Sequence, residues 1–253
     1  MIAAYILHQS RSWLLAHNDT PLTKTQLELL NQALQRLLQK EPLPYITGQQ
    51  EFYGLEFHVN KNVLIPRPET EQLVEITLAW LDANPNMRRG VDLGTGSGCI
   101  AVSLCKQLPA LSMTALDISQ NALNIAAENA VFHQVSGQIT FIRSDLLDQL
   151  DQPADFLCAN LPYIPSGNLP ELDVINYEPV LALDGGLDGF RLIAQTLEQC
   201  KKHRFAFMIF ELDDTHALLA ETAAKQLFPQ AEIQIHKDLP GTDRFLTITM
   251  PQE

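Results

Sequence analysis

The sequence predicts an α/β fold: a seven-stranded, mostly parallel sheet covered by helices on both faces, preceded by a small α-helical N-terminal domain and a β-hairpin linker. Three observations carry this. From residue 90 onward, short apolar strand segments alternate with helical stretches. Before residue 41, leucines recur at helical spacing. Between the two regions, apolar and polar residues alternate around Gly54, as in a hairpin. A chain of 253 residues is ample for one large domain with a small appendage.

In chain order, a first helix is expected from about Ile2 to Ala16, closed by His17-Asn18-Asp19-Thr20-Pro21. A second carries Leu27, Leu30, Leu34, Leu37 and Leu38, with Thr23 and Gln26 in the form of a capping box. The pair reads either as a docking module for a macromolecule or as a plain bundle capping the main domain. Glu51–Val59 forms the hairpin. Ile65-Pro66-Arg67-Pro68-Glu69-Thr70 is an extended linker, because each proline pushes the residue before it out of helical conformation. Thr70 is placed to cap a helix through Leu73, Val74, Ile76 and Leu78 to about Leu81. The division expected is 1–48 helical, 49–70 hairpin and linker, and 71–253 the α/β domain.

Strands are expected near Val91–Leu93, Met113–Leu116, Ile139–Arg143, Phe156–Ala159, Phe205–Glu211, Ala231–Ile235 and Arg244–Thr249. Helices are expected over Ile100–Gln107, Asn121–Phe132, Phe190–Lys202 and His216–Phe228. The last two strands are joined only by residues 238–243. A parallel crossover needs a dozen or more residues, so this pair is antiparallel.

Composition excludes several classes. Seventeen basic against 30 acidic residues give a net charge of −13, which counts against a broad phosphate-binding surface. The apolar runs are too short for a membrane span, and the N-terminus lacks the layout of a secretory signal. A cytoplasmic protein is expected. Cys99, Cys105, Cys158 and Cys200 are widely spaced and lack a C-x-x-C pair, which points to buried free thiols. The seven histidines are scattered, and no metal or catalytic role follows for any of them. Leu37 and Leu183 are assigned to packing.

Val91-Asp92-Leu93-Gly94-Thr95-Gly96-Ser97-Gly98-Cys99-Ile100 is a strand, a glycine-rich turn and a helix start, the ligand-binding position of an open α/β sheet. Its spacing is neither the dinucleotide fingerprint, since Cys99 stands where the last glycine belongs, nor a phosphate loop, which needs Lys. An acid at Asp92 suits a cationic ligand rather than pyrophosphate. Asp117 ends the second strand, nineteen positions after Gly98, where an acid can bond ribose hydroxyls. Asp145, followed by Leu146, ends the third strand and is placed to reach an adenine edge. An acidic adenosine pocket without phosphates points to S-adenosyl-L-methionine, with S-adenosyl-L-homocysteine as product. Glycines that merely permit tight helix–strand packing are the plain alternative.

Asn160-Leu161-Pro162-Tyr163 follows the fourth strand, beside the first. It reads as a strand-ending turn or as a seat for a flat polar group. The Asn160 side chain and the Leu161 carbonyl supply two acceptors for a planar –NH₂, and Tyr163 can stack on the attached π-system. Two acceptors repel a carboxylate, so an amide is preferred over an acid.

At these residues the chain resembles the HemK/PrmC family, over nearly its whole length. The similarity runs through Pro44-Tyr45-Ile46-Thr47-Gly48, Phe52-Tyr53-Gly54, Ile65-Pro66-Arg67-Pro68-Glu69-Thr70-Glu71 and Asp92–Gly98. It continues in Glu178-Pro179, Gly185-Gly186-Leu187-Asp188-Gly189, Glu211 and Asp238-Leu239-Pro240-Gly241. The resemblance implies a class I, Rossmann-like S-adenosylmethionine-dependent methyltransferase domain. It also implies methylation of the glutamine side-chain nitrogen in the Gly-Gly-Gln motif of class I peptide chain release factors. Carried over by position, Gly94, Thr95, Gly96, Ser97, Gly98 and Asp117 hold the cofactor, with Asp145 and Leu146 near the adenine. Asn160 also borders the cofactor, Asn160 to Tyr163 hold the glutamine and carry catalysis, and the Arg67-Pro68 linker lies close by.

Two departures stand out. Leu161 occupies a position where the family usually has proline, which keeps the carbonyl but adds φ freedom. The chain also begins within what resembles the family's first helices, which implies a trimmed docking module. The expected partner is a release factor, bound by a monomer with no direct nucleic-acid or membrane contact. Rival readings are a ribosomal-protein glutamine methyltransferase, an rRNA adenine-N6 methyltransferase, which should bring a basic surface, and a noncatalytic cofactor-binding protein.

Overall fold

The computed structural model describes residues 2–251, so Met1 and residues 252–253 of the expected domain spans lie outside the described residues. The N-terminal region holds α1 (Ile2–Leu7), α2 (Arg11–Ala16), α3 (Lys24–Leu38) and α4 (Leu43–Thr47). The hairpin is β1 (Gln49–Phe52) and β2 (Leu55–His58), and α5 (Glu69–Ala83) follows the linker. The α/β region then runs β3 (Arg89–Leu93), α6 (Cys99–Gln107), β4 (Ser112–Asp117), α7 (Gln120–Phe132), β5 (Ile139–Arg143) and β6 (Phe156–Ala159). It ends α8 (Arg191–Cys200), β7 (Phe207–Glu211), α9 (Ala217–Leu227), β8 (Glu232–Lys237) and β9 (Asp243–Thr249).

The seven-stranded sheet has the order β5-β4-β3-β6-β7-β9-β8. Only the β7–β9 and β8–β9 pairs of this sheet are antiparallel, the second as the short 238–243 connection requires. Side chains alternate between two cores. Phe156, Cys158, Phe207 and Ile209 pack with α5 and α6, whereas Leu157, Ala159, Met208 and Phe210 pack with α8 and α9. All four cysteines are buried free thiols.

Three expectations are corrected. The single helix over residues 2–16 is two helices: the chain turns at His8, whose φ is +51°, and Ser10 caps α2 through the Trp13 N–H. The Thr23–Gln26 capping box forms, but the leucine stripe of α3 is mostly exposed, Leu37 included. Leu30 and Ala33 pack against Ile2, Ile6, Leu43 and Ile46. Thr70 is not a helix cap. Pro68 precedes the first turn, and Thr70 sits within it as a buried residue.

The hairpin turns on Tyr53 and Gly54, both at positive φ (+52° and +69°), as a two-residue turn with the twist of its strands demands. It is fastened to the sheet by Asn129 of α7. The Asn129 Oδ1 accepts from the His58 N–H, and its Nδ2 donates to the carbonyls of His58 and Ser97. Glu71 of α5 accepts from the Tyr53 N–H.

Candidate functional site

Strand register brings four side chains and loops to one level. Leu93 pairs with Leu116 on one side and Ala159 on the other, and Ala159 pairs with Phe210. The next residue on each strand is therefore Asp117, Gly94, Asn160 and Glu211, in a row across four adjacent parallel strands. This is the carboxyl end of the sheet, where open α/β folds bind ligands.

The glycine loop closes over β4: the Gly94 and Thr95 N–H groups donate to the Leu116 carbonyl at 2.8 and 2.9 Å. Gly94, Gly96 and Gly98 all have positive φ. A Cβ on Gly98 would lie 3.1 Å from the Ala126 Cβ, so that glycine lets the loop dock on α7. A Cβ on Gly96 would find only the Gly94 carbonyl, at 3.9 Å, and otherwise open space. Thr95 and Ser97 are buried, so what they offer a ligand is mainly backbone. The Thr95 hydroxyl donates to Asp92 Oδ2 at 2.6 Å.

Asp92 is fully buried, and burial pushes its carboxyl up to about 6. Its Oδ2 also accepts from the Ala101 N–H, while Oδ1 has no partner among the described residues. Asp117 is already employed by the protein: Oδ2 accepts from the Gly96 N–H at 2.9 Å and Oδ1 from the Ser119 N–H at 2.8 Å. Burial raises its pKa, and those N–H donors oppose the rise. A carboxylate has about four acceptor sites, so capacity for ribose hydroxyls remains. Beyond β5, Asp145 is exposed and Leu146 is half-buried with φ +47°. Ile118, exposed beside Asp117, adds an apolar face that the sequence reading passed over; an apolar residue directly after a strand-ending acid is the signal that marks it.

The orphaned buried Asp92 oxygen, the free volume over Gly96 and the absence of a basic side chain within the loop fit a cationic adenosyl group better than a phosphate. A separate groove of about 330 Å³, lined by Trp80, Phe207 and His236 among others, contains none of these residues.

Asn160 Nδ2 donates to the Thr70 hydroxyl at 2.9 Å, and that hydroxyl donates to Glu211 Oε2 at 2.7 Å. Burial pushes Glu211 up to about 7, with the Thr70 bond and Arg244 opposing. Neither Asn160 Oδ1 nor the Leu161 carbonyl accepts a hydrogen bond from another described residue. The Leu161 side chain is buried in the α8–α9 core, so packing removes the φ freedom that the missing ring concedes. Burial raises the Tyr163 hydroxyl to about 12.

The excursion between β6 and α8 buttresses this turn. The Ile164 N–H donates to the Leu183 carbonyl, and the Gly185 N–H donates to the Ile164 carbonyl. A Cβ on Gly189 would lie 2.3 Å from the Tyr163 carbonyl oxygen, so only glycine permits this approach. Arg67 of the linker donates to Glu178 of the excursion at 2.6 Å, with the Glu178 side chain wholly buried. Burial pushes Glu178 up, and Arg67 pulls it back.

Comparison with known proteins identifies the family. Residues 1–48 match the PrmC N-terminal domain and residues 70–174 the methyltransferase small domain. The chain is 36% identical to the release factor glutamine methyltransferase of Lactococcus lactis, over 94% of this chain and 87% of that protein. It is 35% identical to the protein of that name from Chlorobaculum tepidum, over 98% and 87%. The N-terminal domain of human METTL16 in complex with SAH shares the fold, with a TM-score of 0.56 at 19% identity over 79% of this chain and 77% of that one. With both domain types matched and relatives 35–36% identical over nearly the whole chain, the chain belongs to the HemK/PrmC family of release factor glutamine methyltransferases.

Proposed function

We propose that this chain transfers a methyl group from S-adenosylmethionine to the side-chain amide nitrogen of the glutamine in the Gly-Gly-Gln motif of a class I peptide chain release factor. The observation that carries the reading is the orientation of Asn160: its NH₂ is spent on Thr70, which leaves Oδ1 as an acceptor one residue past β6 and level with Gly94.

The chemical difficulty is the substrate nitrogen. An amide lone pair is shared with its carbonyl, the resonance behind a C–N rotation barrier of about 18–20 kcal/mol. Asn160 Oδ1 and the Leu161 carbonyl accept from the two N–H bonds of the glutamine and hold its nitrogen facing the glycine loop. When bound, S-adenosylmethionine supplies an electrophilic methyl group on a positively charged sulfur. The residues thus contribute positioning and electrostatics. They need no strong base, because the nitrogen becomes acidic only after it has gained the methyl group. Tyr163 offers a ring face to the planar amide. Gly94 to Gly98, with Asp117, hold the adenosyl end, and Asp145 and Leu146 border its base.

Residues 1–48 serve as the docking domain, 49–70 as the linker, and 71–253 as the catalytic domain. Among the described residues, no helix is long and apolar enough to cross a membrane. The net charge of −13 supports a protein partner over direct nucleic-acid binding. We place the protein in the cytoplasm as a monomer.

The test is incubation of the purified chain with methyl-labelled cofactor and a purified release factor, followed by mass spectrometry of the Gly-Gly-Gln peptide. One methyl group on the glutamine is expected. Label on RNA or on a ribosomal protein instead overturns the assignment.

A further inference from the structure

We propose that Thr70 and Glu211 form a relay that locks the Asn160 amide with its oxygen toward the substrate, and that this lock makes the site select an –NH₂ group over a carboxylate. The inference rests on the function proposed above and assigns positioning roles to two residues outside the tetrapeptide.

The argument begins with how Thr70 is free to act. Several other helical threonines, Thr47, Thr77, Thr196 and Thr222 among them, donate their hydroxyls to the carbonyl four residues back. Thr70 is the second residue of α5, where no helical carbonyl lies beneath it. Its hydroxyl instead faces the end of the sheet. Parallel register places Asn160 and Glu211 side by side there, one residue beyond the Ala159–Phe210 pair.

Donor and acceptor counting then leaves one arrangement. An ionised carboxylate only accepts. The single proton of Thr70 goes to Glu211 Oε2, 2.7 Å away. The Thr70 oxygen must therefore accept from Asn160, 2.9 Å away, so the NH₂ end of the amide lies there. The nearby Asn160 amide also acts to lower the Glu211 pKa. A flipped Asn160 would set its oxygen against the lone pairs of Thr70 and the charge of Glu211. Without the relay the amide is free to turn and present NH₂ outward, which attracts a carboxylate and loses the grip on an amide.

The lock depends on Glu211 being ionised. The groups facing it are Thr70 and Glu69 from α5, Asn160 and Tyr163 after β6, Arg244 from β9 and Cys99 from α6. Arg244 favours the charged form, while burial and Glu69 oppose it, and the carboxyl is held at about 7. A protonated Glu211 can donate to Thr70, which releases the Thr70 hydroxyl to donate to Asn160 Oδ1 and removes the preference for one orientation.

The experiment measures the full chain with labelled cofactor and synthetic Gly-Gly-Gln and Gly-Gly-Glu peptides. Thr70→Val keeps the shape and removes the hydroxyl. Its kcat is expected to fall by at least about 30-fold with KM for the cofactor little changed, as loss of a pre-set acceptor predicts. The Gly-Gly-Glu peptide should leave the parent chain uninhibited and become a competitive inhibitor of Thr70→Val. Thr70→Ser should recover most of the turnover and reject Gly-Gly-Glu. Circular dichroism melting establishes that each variant folds. Should Thr70→Val fail to fold, Glu211→Gln carries the test: the parent kcat should decline on acidification through about pH 7, and that limb should vanish in the variant. Turnover by Thr70→Val close to that of the parent overturns the relay, as does lost turnover without new binding of Gly-Gly-Glu. For Glu211→Gln, an unchanged acid limb does the same. A parent chain that binds cofactor but never labels Gly-Gly-Gln overturns instead the function on which the relay rests.

Discussion

Leu161 roofs Gly94: a Cβ on that glycine would stand 3.2 Å from Leu161 Cδ2 and 3.7 Å from the Asn160 carbonyl. The glycine loop and the 160–163 turn therefore approach one another through a side chain that the usual proline of this family lacks. Leu161 is anchored by the α8–α9 core, so hydrophobic burial does here what ring closure does elsewhere. Leu161→Pro should turn over at a rate within a few-fold of the parent, because the carbonyl is kept. Leu161→Ala should lose about 2–4 kcal/mol of stability, the usual cost of emptying a buried leucine site. Denaturant melts and initial rates on both variants check this.

Asn160→Ala should lower kcat by about 10²-fold or more while cofactor affinity changes little, since one of two acceptors is lost and the glycine loop is untouched. Single-turnover rates and calorimetric cofactor binding separate the two effects. Methylation at the parent rate would remove the grip from the mechanism.

Gly189→Ala should damage the site from behind. The residue has φ +75°, and an added Cβ meets the Tyr163 carbonyl at 2.3 Å. The expected cost is about 1–3 kcal/mol of strain, with kcat reduced because the 160–163 turn is displaced. Gly167→Ala, where a Cβ meets nothing within 4 Å, is the control.

Arg67→Ala should destabilise the chain more than Glu178→Gln. The first leaves a wholly buried carboxylate without its cation, whereas the second removes the charge that needed a partner. Chemical denaturation of the two variants at neutral pH decides the order.

Stability should fall as pH rises from about 4 to about 8. Glu211 and Asp92 sit near 7 and 6 in the folded chain, above ordinary values of 4.5 and 3.8. Between those values the native state binds more protons than the unfolded one, so their contribution is complete below about 4 and lost as pH climbs through about 7. Melting temperatures across this range should drop, and Asp92→Asn should flatten the drop. Carboxylates held low, such as Asp155 beside Arg89, act in the opposite sense but titrate at more acid pH.

Much of the site was legible in the chain alone because it depends on local pattern. Strand–helix alternation, the three glycines at alternate positions, the acid at the end of β4 and the 238–243 connection are short-range features that the sheet keeps, whereas Asp145, expected to end its strand, lies two residues beyond β5. The same patterns could not show that Asp117 is committed to the loop backbone, that Thr70 is no cap, or that α3 leaves its leucines exposed. Those outcomes depend on which surfaces meet. Asn160 and Thr70 are 90 positions apart and Thr70 and Glu211 are 141. Only the parallel register of β6 and β7, with the first turn of α5 at their carboxyl ends, puts the three side chains within hydrogen-bond reach. A sequence specifies the donors and acceptors. Which of them meet, and so which end of the Asn160 amide is turned toward Thr70, is decided by packing.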